Sequence, residues 1–183
     1  MSGHTSAVFS RRRIIAVALV FCVALTSLAA GLTWQNWMME PAKLGQSIDQ
    51  LRKFEDHWRV LNARPVQVDD WANKVVLLNF WGSWCPPCVE EMPLLDRFNS
   101  EHNSIQIVGI VIDQEGPAKL FLKKHEISFP SILFNQAFVN ELLVDYQNTD
   151  FVLPYSVAFD RSGKRFFTKT GPLDERDLEF LIE

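Results

Sequence analysis

Cysteine is scarce in this chain. Three occur in 183 residues, and Cys22 lies inside an apolar run, so only Cys85 and Cys88 are left for chemistry elsewhere. A structural zinc site needs four ligands, and His57, His102 and His125 are widely scattered in sequence, which argues against one. The glycines form no phosphate-cradling loop, and neither zinc-finger spacing nor an internal repeat is present. Positive charge is short as well. Formal net charge is −4, but Arg11, Arg12 and Arg13 sit together near the N-terminus, and the remainder carries 15 basic residues against 22 acidic ones. Such an acidic body lacks the basic footprint that nucleic-acid binding requires. Apolar content is ample. At 48% hydrophobic residues, a packed core is within reach for one domain of ordinary size plus an appendage.

A further absence sets the topology. No charged residue occurs between Arg13 and Glu40. Spanning a bilayer takes about 20 apolar residues, whereas a secretory core is about 7–15 long. The run from Ile14 is therefore long enough to stay in the membrane, with Arg11 to Arg13 on the cytoplasmic flank and Trp34 and Trp37 at the far interface. Small residues at Ser27-Leu28-Ala29 keep a cleaved signal peptide as the alternative, and Ser10-Arg11-Arg12 weakly resembles a twin-arginine signal. Either reading exports the rest of the chain. Bulky Phe21 before Cys22 speaks against lipid attachment, and Cys22 reads as a small buried hydrophobe. The expected organisation is a cytoplasmic tail over 1–13, an anchor over 14–35, a helical stalk or linker over 36–64, and the working domain over 65–183.

Beyond the anchor, Leu44, Ile48, Leu51, Phe54, Trp58 and Leu61 recur at spacings of three and four, predicting one face of an amphipathic helix that Pro65 ends. Val66 to Val68 suggests a short edge strand. Val75 to Phe80 and Ile105 to Ile112 are apolar runs of strand length, suited to a sheet covered on both faces. Helices are expected from Pro86 through Phe98, from Gly116 to about Glu126, around Phe138 to Tyr146, and over Asp174 to Ile182. A short strand at Ser131 to Phe134 precedes a hairpin of Tyr155–Asp160 and Lys164–Thr170. This order describes an α/β fold with a mixed sheet flanked by helices. The cysteine pair falls at the carboxyl end of the Val75–Phe80 strand, where open α/β sheets place their working sites.

The pair sits in LLNFWGSWCPPCVEEMP, Leu77 to Pro93. A structural disulfide between Cys85 and Cys88 would close a tiny loop and remove little chain entropy. A redox dithiol needs only what is present, two thiols at the start of a helix in an oxidising compartment. Pro86 and Pro87 suit a first helical turn, where their missing amide donors cost nothing. Cys85 then stands at or just before the N-cap, where free N–H groups and the helix dipole stabilise a thiolate. Cys88 lies one turn on along the same face and is expected to be the more buried. Cys85 thus reads as the exposed nucleophile and Cys88 as the resolving thiol, with Trp81 in the core and Trp84 shielding the sulfur.

These residues resemble the active-site signature of thioredoxin-fold proteins, specifically the TlpA/ResA/DsbE-like branch of membrane-anchored, extracytoplasmic thiol–disulfide oxidoreductases. The resemblance continues through IVGIVID, FLKKHEISFP and LPYSVAFDRSGK, and covers about residues 66–183. It implies that Cys85 and Cys88 are the redox pair and that Pro154 is a cis-proline which, with Leu153 before it, presents backbone to an extended substrate. It also implies that Pro93 kinks the active-site helix and that Glu91 moves protons to and from the buried thiol. Two departures matter: Asn79 stands where thioredoxin has a buried aspartate, and Pro86 where some reductive relatives carry an acid. The expected activity is reduction of disulfides in exported client proteins, apocytochrome c among the candidates, from the periplasmic side of a bacterial inner membrane. A membrane dithiol donor would re-reduce the pair, and neither cofactor nor metal is called for. A disulfide-donating oxidase or isomerase is the alternative, followed by Cu(I) binding at the dithiol, for which Met92 is the only nearby methionine.

Overall fold

The computed structural model describes residues 47–183. The apolar run over 14–35, with Cys22, Trp34 and the flanking arginines, lies outside the described residues, as do residues 36–46 of the expected stalk. Among the described residues no helix is long and apolar enough to cross a membrane.

Six strands form one sheet: β1 (Trp58–Val60), β2 (Val75–Trp81), β3 (Ile105–Val111), β4 (Ser131–Phe134), β5 (Tyr155–Phe159) and β6 (Arg165–Thr170). Their spatial order is β1-β4-β3-β2-β5-β6. Strands β2, β3 and β4 are parallel, while β5, β6 and β1 join antiparallel. Four α-helices connect or follow them: α1 (Pro86–Glu101), α2 (Glu115–Lys124), α3 (Gln136–Asp145) and α4 (Glu175–Ile182). The crossovers β2–α1–β3 and β3–α2–β4 step the same way along the sheet, and right-handed connections then place both helices on one face. Cys88, Met92 and Leu95 of α1, Phe121 and Leu122 of α2, and Leu178 and Leu181 of α4 accordingly share one core with Val75, Leu77 and Trp81 of β2. Helix α3 returns the chain over the opposite face, where Val139, Leu142 and Leu143 pack on Val76, Leu78 and Phe80. Every residue of β2 is buried, as its uninterrupted apolar character requires.

The segment before Pro65 behaves differently from a free stalk. Ile48–His57 winds as a 3-10 helix capped by Ser47, whose Oγ accepts from Asp49 N at 3.2 Å. Its buried residues Ile48, Leu51 and Phe54 lie three apart, one face of a helix with three residues per turn, and they pack in the α3-side core. Trp58 leaves that face and pairs with Phe134 to open β1. The sheet and its core therefore begin before residue 65. The edge strand expected at Val66–Val68 is absent. Carboxylates take those amides instead: Glu55 Oε1 accepts from Val68 N at 2.7 Å and Asp70 Oδ2 from Gln67 N at 3.0 Å, starting a 3-10 turn at Val68–Trp71.

Two helices end in left-handed residues without glycine. Glu126 (φ 53°) and Gln147 (φ 72°) close α2 and α3, each followed by an amide that reaches back to the helix, Ile127 N to Leu122 O and Asn148 N to Leu143 O.

Candidate active site

The turn between β2 and α1 is fastened to the end of β3. Ile112 N donates to Trp81 O at 2.7 Å, Trp84 Nε1 donates to Ile112 O at 2.8 Å, and Asp113 Oδ2 accepts from both Ser83 N and Ser83 Oγ, at 2.8 and 2.5 Å. Asp113 and Ser83 escape sequence reasoning, because a carboxylate 30 residues away carries no local signal of its partner. Gly82 is required by the same close approach. A Cβ there would meet Trp84 Nε1 at 2.6 Å and Ile112 O at 2.8 Å, the two atoms that bond to one another. Gly82→Ala is thus expected to break the indole hydrogen bond, costing about 1–3 kcal/mol in denaturant unfolding, and to change tryptophan emission.

Cys85 is the N-cap of α1, and Pro86 and Pro87 occupy its first two helical positions. The cap side chain is the sulfur itself, which accepts from Cys88 N at 3.3 Å. Both prolines lack an N–H, so Cys88 N is the one first-turn amide facing that sulfur. The two cysteines are joined by a disulfide. Cys85 is 4% exposed and Cys88 0%, so the expected order of burial holds while the expected open exposure of Cys85 does not. Trp84, next to Cys85 in the chain, is 62% exposed.

Glu91 lies one turn beyond Cys88 and is buried. Its Oε1 accepts from Asn79 Nδ2 at 2.8 Å and its Oε2 from Leu173 N at 2.6 Å. Burial raises its pKa to about 7, against the opposing pull of the Leu173 amide, the Asn79 amide and Lys169. Asn79 also donates to Ser156 Oγ at 3.1 Å, while its own Oδ1 has no partner among the described residues. A neutral amide at this position leaves Glu91 without a competitor for ionisation, as a second carboxylate would be. By contrast, Glu90 is exposed.

Pro154 follows a cis peptide bond from Leu153. Its carbonyl accepts from Gly171 N at 2.9 Å, which ties this loop to the end of β6, and Gly171 takes the left-handed φ of 93° that favours glycine. The Leu153 side chain packs against both cores, including the one that holds Cys85 and Cys88. Leu153 and Trp84 line a cavity of about 360 Å³ together with Ile112, Leu143 and Phe151, with the amides of Gln136 and Asn140 at its margin. Asn148 shapes this wall, accepting from Val152 N at 3.0 Å and donating to Val152 O at 2.8 Å. Among the described residues, no three histidines, cysteines or acids are grouped to hold a metal.

A mixed sheet with a dithiol at the N-cap of its first long helix, a buried carboxyl one turn on and a cis-proline loop define a thioredoxin-fold thiol–disulfide oxidoreductase. Residues 49–181 match Redoxin, and the chain belongs to that family. It is 33% identical over 126 residues to the thiol-disulfide oxidoreductase ResA of Bacillus cereus, covering 67% of this chain and 70% of that protein. With ResA of Halalkalibacterium halodurans it shares 25% over 166 residues, 88% of this chain and 89% of the relative. The crystal structure of a thioredoxin-related protein from Neisseria meningitidis superposes with a TM-score of 0.60 at 28% identity, over 68% of this chain and 95% of that one.

Proposed function

We propose that this chain is an extracytoplasmic protein-disulfide reductase, tethered to a bacterial inner membrane by residues 14–35 and acting on exported clients. The observation that carries the direction of electron flow is the pair of prolines at the head of α1. A dithiol oxidises others strongly when its reduced form is specially stabilised. Here two of the three first-turn amides that could solvate a Cys85 thiolate are missing, leaving Cys88 N. The reduced form gains less, and the pair favours giving electrons.

In the reaction, the Cys85 thiolate attacks one sulfur of a client disulfide, and the other client sulfur leaves with the electron pair. Cys88 then loses its proton and attacks the Cys85 sulfur, which releases the second client sulfur and forms the Cys85–Cys88 disulfide. The client ends reduced by two electrons, and a membrane dithiol donor restores the pair. The main-chain N–H and C=O of Leu153 make no hydrogen bond among the described residues, so both are open to an extended client segment beside the cysteines. The cavity between Trp84 and Phe151 would take an apolar side chain of that segment. Apocytochrome c before haem attachment is the client that the resemblance to the ResA and DsbE branch favours.

Cys88→Ala removes the resolving thiol but not the nucleophile. Expressed in cells, it is expected to accumulate mixed disulfides between Cys85 and clients, seen as reductant-sensitive adducts that wild type lacks. Absence of adducts would overturn the reductase reading. Thiol alkylation of the wild-type chain in vivo separates the directions, since a reductase is held mostly reduced and an oxidase mostly oxidised.

A further inference from the structure

A polar row crosses three strands of an otherwise apolar face. Asn79 on β2 is opposite Ser156 on β5, and Ser156 is opposite Lys169 on β6. The first two are fully buried, and the Lys169 side chain is 31% exposed. Strand β6 alternates, with Arg165, Phe167 and Lys169 half-buried and Phe166, Thr168 and Thr170 exposed. Lys169 therefore takes an inward place where an apolar residue would have enlarged the core, at a desolvation cost that needs a partner. That partner is Asp177 of α4, with which it forms an ion pair. The same carboxylate accepts from Asp174 N at 2.8 Å in the capping box of α4, and the residue before that cap, Leu173, gives its amide to Glu91.

We propose that Lys169, held in place by Asp177, is a positioning residue that sets the proton affinity of Glu91 and hence the pH at which Cys88 can resolve a mixed disulfide. This deepens the reductase reading above and rests on it. Among the described residues, the groups that bear on Glu91 are few. β2 contributes the Asn79 amide, which also bonds Ser156 of β5, the Leu173 amide ahead of α4 bonds Glu91 directly, and the charges of Lys169 on β6 and Asp177 on α4 act on it through space. Lys169 draws the Glu91 pKa down and Asp177 pushes it up. The pair is thus a balanced lever: neutralising one end tips Glu91 one way, and neutralising the other tips it back. Resolution is the step that feels this lever. The Cys88 proton passes to the Glu91 carboxylate, the Cys88 thiolate attacks Cys85 Sγ, and the bond from Cys85 to the client sulfur breaks with its electron pair leaving on the client.

Reaction of the reduced full-length chain with a chromogenic aryl disulfide tests this. The first aryl thiolate released reports attack by Cys85, and the second reports resolution by Cys88. The midpoint of the second phase against pH is expected to move up in Lys169→Gln and down in Asp177→Asn. Each shift is about 0.5 pH unit, or about threefold in rate on the flank of the profile. Lys169→Arg, which keeps the charge, is expected to restore the wild-type midpoint. Both displacements should vanish in a Glu91→Gln background. Asp177→Asn keeps the oxygen that caps α4, so its downward shift stands as a test even if Lys169→Gln does not fold. Midpoints that stay fixed, move in the same direction, or move equally without Glu91 would overturn the proposal. A wild-type chain that shows no second release would instead overturn the exchange reading beneath it.

Discussion

Cys85→Ser is expected to abolish turnover of insulin disulfides, by about a thousandfold or more, down to the rate of the supporting dithiol reductant alone. The loss would be chemical rather than structural. Serine is among the best N-cap residues, so its hydroxyl can take over the bond from Cys88 N that the sulfur now accepts at 3.3 Å. The lost disulfide closed a loop of only three residues' separation, so the unfolded chain gains little entropy. Far-UV circular dichroism and the denaturant midpoint of the reduced protein should match wild type closely. What disappears is the sulfur that a client can reach, because the remaining thiol, Cys88, is fully buried beneath it. Retained turnover in this variant would mean that Cys88 or a different group is the nucleophile, and the assignment of roles within the pair would fall.

The placement of the two cysteines is legible in the sequence because its signals are local. A strand-length apolar run, an aromatic turn, two prolines and a second thiol three residues on are enough to place Cys85 on a helix cap and Cys88 beneath it. The same locality makes β2, α1 and β3 readable to within a few residues of their observed ends. Strand β1 is hidden for the opposite reason. Trp58–Arg59–Val60 continues the spacing of a helix, and only its pairing with Phe134, Leu133 and Ile132, more than 70 residues on, makes it a strand. Asn79 carries a visible signal as the single polar residue in β2, yet its partners Glu91 and Ser156 come from other elements. Between Glu90 and Glu91 nothing but helical phase tells which is buried. Asp113, Leu173 and Lys169 have no signal at all, since each acts through a contact made only when distant strands are assembled.

Glu91→Gln is expected to do two opposite things, and their combination separates function from fold. Glu91 has a pKa near 7 in the fold, raised by burial from 4.5. A carboxyl raised on folding favours the folded state while protonated, so its contribution is complete below pH 4.5 and is lost as pH climbs through about 7. The difference corresponds to about 3 kcal/mol between pH 4 and pH 8. The depressed carboxylates Asp69, Glu115, Asp160 and Asp174 have the reverse sign, and their contributions are lost only as pH falls below the ordinary carboxylate range, outside this window. Denaturant unfolding of the oxidised wild-type chain should therefore show stability declining from pH 4.5 to 7.5. In Glu91→Gln that component of the decline should be gone, with the variant the more stable of the two at pH 8. Glutamine fits the site well. Its carbonyl can accept from Leu173 N, and once Asn79 turns its amide over, the glutamine amide can donate to Asn79 Oδ1, to which Ser156 Oγ can donate as well. Activity should move the other way. Without an acceptor for the Cys88 proton, resolution of mixed disulfides at pH 7 is expected to slow by about 100-fold. A variant that is more stable yet slower marks a charge kept in the core for chemistry at the expense of the fold. Parallel stability curves for the two proteins, or unchanged resolution kinetics, would return Glu91 to the status of a buried carboxyl without a role.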